Sequence, residues 1–154
     1  MRKIIRLPIL LLIVLLLTGC SGKKEMQQTQ ESSGTKIYYI DSKTSKIVSE
    51  DYNLEATTIV GKINELLEAL RKPPENMLYK NALPEEISIK KTTFTEDGRL
   101  TINFDTNYSS LTGIPEVLGR ATIVKTLCQI SEVEYIEFYV NDQPLMDSNG
   151  VVDH

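Results

Sequence analysis

The stretch that decides the fold is Asp97-Gly98-Arg99-Leu100-Thr101-Ile102-Asn103-Phe104-Asp105. Gly98 supplies the positive φ that a tight turn requires. Beyond it, Leu100, Ile102 and Phe104 alternate with Thr101, Asn103 and Asp105, the period of a strand with one apolar and one polar face. Before the turn, Ile87 and Ile89 open a partner strand that runs to about Thr95, so the two form a hairpin.

The neighbouring segments have a different period. Toward the C-terminus, Gly113 to Ile130 reads as a helix: Pro115 suits its first turn, Glu116 complements the helix dipole there, and Val117, Ala121, Val124, Leu127 and Cys128 make its apolar stripe. In that stripe Cys128 is expected to be a small buried hydrophobe. Val133 to Val140 follows as a strand, with Ile136, Phe138 and Val140 on one face and Tyr135, Glu137 and Tyr139 on the other. Toward the N-terminus, Ile59, Ile63, Leu66, Leu67 and Leu70 share one face of a helix of about 56–71. Pro73-Pro74 ends it, because neither proline can donate a helical hydrogen bond. A loop of 75–86 leads from there to the hairpin. Ahead of the helix lie a strand at Ile37-Tyr38-Tyr39-Ile40 and a short extended piece at Lys46 to Ser49.

The resulting order is β-α-β-β-α-β. Two helices with one apolar stripe each can cover one face of a small mixed or antiparallel sheet, which predicts an α+β two-layer sandwich with the other sheet face open. If the strands at 100–105 and 133–140 are neighbours, Tyr135, Glu137, Tyr139, Thr101 and Asn103 share that open face. They are the candidate interaction residues.

The first nineteen residues read as an address. Arg2, Lys3 and Arg6 precede an apolar run from Leu7 to Leu17, a secretory signal peptide. Eleven residues rise only about 16 Å as a helix, against a hydrocarbon core of ~30 Å. The run closes on Leu17-Thr18-Gly19-Cys20, which resembles the lipobox of bacterial lipoproteins. That resemblance implies cleavage before Cys20 and a covalent diacylglycerol on its sulfur, holding the exported chain on the outer face of the cell membrane. Two acyl chains give stable attachment where one is marginal. Residues 20–35 are then the lipidated Cys and a flexible polar linker, 36–145 one domain, and 146–154 a disordered tail.

Composition narrows the function classes. The 154 residues carry 17 Lys and Arg against 21 Asp and Glu. Removing residues 1–19 leaves 14 basic and 21 acidic side chains, a net charge of −7, so no nucleic-acid footprint exists. Hydrophobic residues at 41% and charged residues at 25% are the proportions of a folding chain. Two Cys and one terminal His do not suffice for a structural zinc site, and no metal or other cofactor is expected. Catalytic machinery is equally scarce. The only His is residue 154, and no Gly-rich phosphate loop is present. The acidic pairs Glu50-Asp51, Glu85-Glu86 and Glu96-Asp97 are adjacent residues near turns, whose side chains diverge. The chain does not read as an enzyme.

Taken in order, these segments resemble the GerMN domain family of sporulation and spore-germination proteins over about residues 36–145. The resemblance is carried by Tyr38-Tyr39 in the first strand, the Ile63 to Leu70 helix before a proline and Leu83-Pro84 ahead of a strand. It continues through Gly98 before Leu100 to Asp105 and Thr126-Leu127 leading into Val133. Two turns depart from it, at Lys72-Pro73 and at Asn141-Asp142-Gln143. The resemblance implies a fold similar to ring-building motifs and no active site. It also implies a membrane-tethered protein-interaction module with protein partners or copies of itself, in a channel or ring assembly between mother cell and forespore. Alternative readings are a lipoprotein that senses for or scaffolds an envelope histidine kinase, and a small-ligand-binding lipoprotein, whose mark would be a concave apolar pocket.

The lipobox reading has a direct check. Cells fed an alkyne-bearing fatty acid are expected to label the wild-type protein and not Cys20→Ala, and mass spectrometry of the mature chain should begin at Cys20.

Overall fold

The computed structural model describes residues 34–146, within one compact unit, Ser33–His154. The signal segment, Cys20 with its lipobox, the linker up to 33 and the tail from 147 lie outside the described residues. Thr35, read from sequence as linker, is the first residue of a strand.

Seven strands and two α-helices follow in order: β1 (Thr35–Asp41), β2 (Ile47–Tyr52), α1 (Ile59–Ala69), β3 (Tyr79–Lys80), β4 (Ile89–Phe94), β5 (Arg99–Phe104), a 3-10 turn (Thr106–Ser110), α2 (Ile114–Leu127), β6 (Tyr135–Val140) and β7 (Gln143–Pro144). The α+β class and the hairpin at Gly98 are as the sequence predicts. The strands, however, divide between two sheets, β2-β1-β3 and β4-β5-β6-β7, rather than forming one. Two-residue β3 and β7 lie in segments whose pattern is too short to show a period.

In the larger sheet β4 and β5 pair antiparallel, β5 and β6 parallel, and β6 and β7 antiparallel. A parallel pair needs a long crossover, and α2 provides it. Leu100, Ile102, Phe104, Ile136 and Phe138 all face the core and are buried. Tyr108 of the 3-10 turn stacks on Phe104 at 4.4 Å between centroids, and Phe104 lies 6.2 Å from Phe138. Ile63, Leu66 and Leu67 from α1, with Leu70 at its C-cap, enter the same core. Thr58 caps α1, its hydroxyl accepting from the Gly61 N–H at 3.1 Å.

The end of α2 explains why there are two sheets. In β1, residues 36, 38 and 40 direct their backbone groups to the same edge, which β3 covers at Ile40. At Tyr38 the N–H donates to Thr126 Oγ1 at 3.2 Å. At Lys36 the N–H donates to Gln129 Oε1 at 2.9 Å, and the carbonyl accepts from Gln129 Nε2 at 2.7 Å. The Gln129 amide thus satisfies β1 as a strand residue would, and the edge where another strand would pair is taken.

This contact also rotates α2 from its expected stripe. Gly119, Thr122, Ile123, Thr126 and Leu127 are the buried residues, while Val117 is 53% exposed and Cys128, at the end of the helix, is exposed rather than buried. Threonine can line the core here because its hydroxyl is satisfied. Thr122 Oγ1 donates to the Gly119 and Leu118 carbonyls at 2.7 and 2.8 Å, and Thr126 accepts from β1.

The two buried threonines should respond differently to a near-isosteric change. Thr126→Val leaves the Tyr38 N–H without its acceptor and is expected to cost about 1–3 kcal/mol in urea denaturation. Thr122→Val removes only a bond to carbonyls of its own helix and should cost less in the same measurement.

Candidate interaction face

The side of the larger sheet opposite the core carries three cross-strand rows. Lys91, Asn103 and Tyr139 form one, Thr93, Thr101 and Glu137 the next, and Arg99 with Tyr135 the last. Each row follows from register, since residues directly paired across strands point to the same face. All five candidates read from the sequence, Tyr135, Glu137, Tyr139, Thr101 and Asn103, are therefore brought together. The signal for them was the period-two alternation, and parallel pairing of β5 with β6 supplied the alignment.

Asn103 is the fixed point of the face. It is 6% exposed, its Nδ2 donates to Asp142 Oδ1 at 2.6 Å, and its Oδ1 accepts from the Asp142 N–H at 3.1 Å. Asp142 and Asn141 are the two central residues of the β6–β7 hairpin, with φ of 67° and 49°. Left-handed backbone costs about 1 kcal/mol for a residue other than glycine, and the doubly bonded Asn103 offsets that cost. A bulge at Lys90 brings its Nζ to 3.5 Å from Asp142 Oδ2 and 3.0 Å from Asn141 Oδ1. Asp142 and Lys91 complete a shallow depression of about 180 Å³ beside Tyr139. Neither Asp142 nor Lys90 was singled out from sequence, because their role depends on the bulge and the turn.

The other end of the face is charged. Arg99 Nη1 lies 3.9 Å from Glu137 Oε1, and the Glu137 side chain is only 14% exposed. Arg99 Nε is buried and has no hydrogen-bond partner among the described residues. Tyr135 Oη donates to Asp97 Oδ2 at 3.5 Å. The Thr95 hydroxyl donates to Asp97 Oδ1 and holds the Asp97 carboxyl below the usual range. Partial desolvation and then the Asp97 charge raise the Tyr135 hydroxyl. The face therefore presents aromatic rings, hydroxyls and the exposed part of the Arg99 guanidinium.

On the flank of β6 a separate open cleft of about 660 Å³ lies between the 3-10 turn, the start of α2 and β7. Within it Glu116 accepts from Tyr108 Oη at 3.0 Å and from Arg120 Nη2 at 3.2 Å, with Arg120 Nε at 2.6 Å. Arg120 was not singled out from sequence, although its four-residue spacing from Glu116 is the pattern that would have found the pair. Among the described residues no group of three His, Cys, Asp or Glu is placed to hold a metal ion. Nor is any helix there long and apolar enough to cross a membrane.

A family model described as Germane, sporulation and spore germination, matches residues 36–146. The fold is similar to the first GerMN domain of the sporulation protein GerM from Bacillus subtilis, with TM-score 0.61, 17% identity, and coverage of 78% of this chain and 92% of that one. It is equally similar to the tandem GerMN domains of the same protein, again with TM-score 0.61 and 17% identity, where 78% of this chain covers 44% of the tandem chain. No curated protein matches the sequence.

Two variants separate the parts of the hairpin anchor. Asn103→Leu leaves the Asp142 N–H and carboxylate without their partner and is expected to cost about 1–3 kcal/mol. Asp142→Gly keeps the backbone N–H bond to Asn103 Oδ1, loses the carboxylate contacts with Asn103 Nδ2 and Lys90 Nζ, and removes about 1 kcal/mol of left-handed strain. Its denaturation midpoint should therefore fall less than that of Asn103→Leu.

Proposed function

This chain belongs to the Germane family of sporulation and spore-germination domains, and on that premise we propose that it works without catalysis, as a membrane-tethered module that docks a protein partner. The observation that carries the reading is the open face of the β4–β7 sheet. Tyr135 and Tyr139 stand in register with Arg99 and Asn103, and the Arg99 side chain is 40% exposed. Tyrosine and arginine are the side chains that most often anchor protein contacts. A partner carbonyl or carboxylate over the exposed part of the Arg99 guanidinium would add a charge-assisted hydrogen bond.

Cys20 completes the mechanism. Diacylglycerol on its sulfur confines the domain to a layer above the membrane, and the polar linker sets its reach to about 20–25 Å. Confinement raises the effective concentration of the face toward a membrane-bound partner, so a modest contact suffices. The setting we propose is an assembly between mother cell and forespore, as part of a channel or its support.

The test is heat-resistant spore yield in an in-frame deletion strain complemented with wild type, Cys20→Ala, or a Tyr135→Ala/Tyr139→Ala double variant. Wild type is expected to restore the yield. Both variants should fall short at matched protein level, with vegetative growth normal throughout. Normal spores accompanied by a growth or envelope-stress defect would overturn this reading in favour of a kinase-associated lipoprotein.

A further inference from the structure

The edges of the two sheets are not alike. An edge strand offers a row of backbone groups to any strand that can pair with it, and folds blunt such edges with bulges, lysines, prolines or short strands. In the larger sheet β4 is blunted by the register shift between Ile89 and Lys91 and by Lys90 and Lys91 themselves. At the far ends of the sheets β3 and β7 are two residues long, and β7 contains Pro144. β2, the remaining edge, has none of these devices. It pairs with β1 in one unbroken register from Ile40–Ile47 to Thr35–Tyr52, and its sequence Ile-Val-Ser-Glu-Asp-Tyr holds no proline, glycine or lysine.

The outward groups of β2 follow from parity. The Asp41 N–H donates to the Lys46 carbonyl at 2.8 Å, so Lys46, Val48 and Glu50 direct their backbone groups to β1. Ile47 and Ser49 direct theirs to the open side, where no hydrogen bond among the described residues meets them. On the core side of the strand the order is Lys46, half-buried Val48, Glu50. That order is self-complementary, because a second copy laid antiparallel sets cation against anion and valine against valine.

We infer that two copies of this chain pair along β2, antiparallel about a two-fold axis at Val48. Lys46 then stands opposite Glu50 of the second copy, Ile47 opposite Ser49, and Val48 opposite Val48. The Ile47–Ser49 pairs exchange both of their N–H···O=C bonds, and the two β2-β1-β3 sheets become one. Glu50 can receive the lysine without releasing its own loop. Its carboxylate accepts from the Glu75 and Asn76 N–H groups at 3.3 and 3.1 Å, and a carboxylate has about four lone-pair sites. This edge belongs to the other sheet from Tyr135 and Tyr139, so self-pairing goes beyond docking through that face and leaves it open.

Disulfide trapping of the full chain in the cells that produce it tests the pairing. Facing residues of a non-hydrogen-bonded antiparallel pair lie about 4.5 Å apart at Cα, within disulfide reach. The parent carries Cys128→Ser, which removes the exposed native thiol, and Val48→Cys is added to it. Mild oxidation is expected to link two differently tagged copies through Val48→Cys, reducibly and well above the parent. Ser49→Pro deletes an outward N–H that β1 does not use, a change edge strands tolerate, and should abolish the linkage. Lys46→Glu turns two attractive cross-strand pairs into repulsive ones and should lower the yield about ten-fold, with Glu50→Lys in the same chain restoring it. If that second change frees the 75–76 loop and unfolds the chain, Ser49→Pro decides. Tyr135→Ala/Tyr139→Ala should leave the linkage unchanged, which separates this pairing from docking at the tyrosine face. A yield no higher than the parent, full linkage in folded Ser49→Pro, no loss with Lys46→Glu, or a product joining Val48→Cys to a different protein would overturn the inference.

Discussion

The parallel pairing of β5 with β6 constrains everything around it. Two parallel neighbours cannot be joined by a tight turn, so the chain must leave the sheet, cross its face and return. The segment that does this, α2, covers Leu100, Ile102, Phe104, Ile136 and Phe138 and so buries one face of the sheet while the other stays open. Because α2 ends beside β1, its Thr126 and the following Gln129 take the hydrogen bonds that a further strand would have taken. One topological requirement thus produces the core, the split into two sheets and the exposed rows of β5 and β6.

The candidate face inherits its rigidity from the same pairing. Tyr135 and Tyr139 are placed by a six-residue parallel register, not by loops, so their backbone positions are set relative to Arg99 and Asn103. The β6–β7 turn adds a second fixture, in which two non-glycine residues adopt left-handed backbone and Asn103 holds the second of them. A buried Asn103 in the middle of a sheet would otherwise weaken the fold. Here it joins the stability of the sheet to the geometry of the turn.

Much of this was legible in the residues. The alternation after Gly98 gave the hairpin and the face, and the spacing of Ile63, Leu66, Leu67 and Leu70 gave α1, because burial of a single stripe imposes a period that any reader of the chain can see. The buried side of α2 was legible only in part, at Leu127 and the half-buried Val124. Thr122 and Thr126 look polar in sequence, and only the hydroxyl acceptors found in the folded chain let them line the core while Val117 and Cys128 remain outside. Glu116 was read only as a first-turn carboxylate of α2; its pairing with Arg120 went unnoticed, and the cleft around them depends on β7, whose two residues carry no period.

By itself, then, the sequence determined the α+β class, the β-α-β-β-α-β order of the main elements and which residues of β5 and β6 share a face. Each of these follows from local periodicity and turn chemistry, which act over a few residues. Tertiary structure alone decided that the strands form two sheets, that α2 turns its threonines inward, and that Asp142 and Lys90 join the face. Those outcomes rest on hydrogen bonds between residues as far apart as Lys36 and Gln129, whose partners no local pattern records.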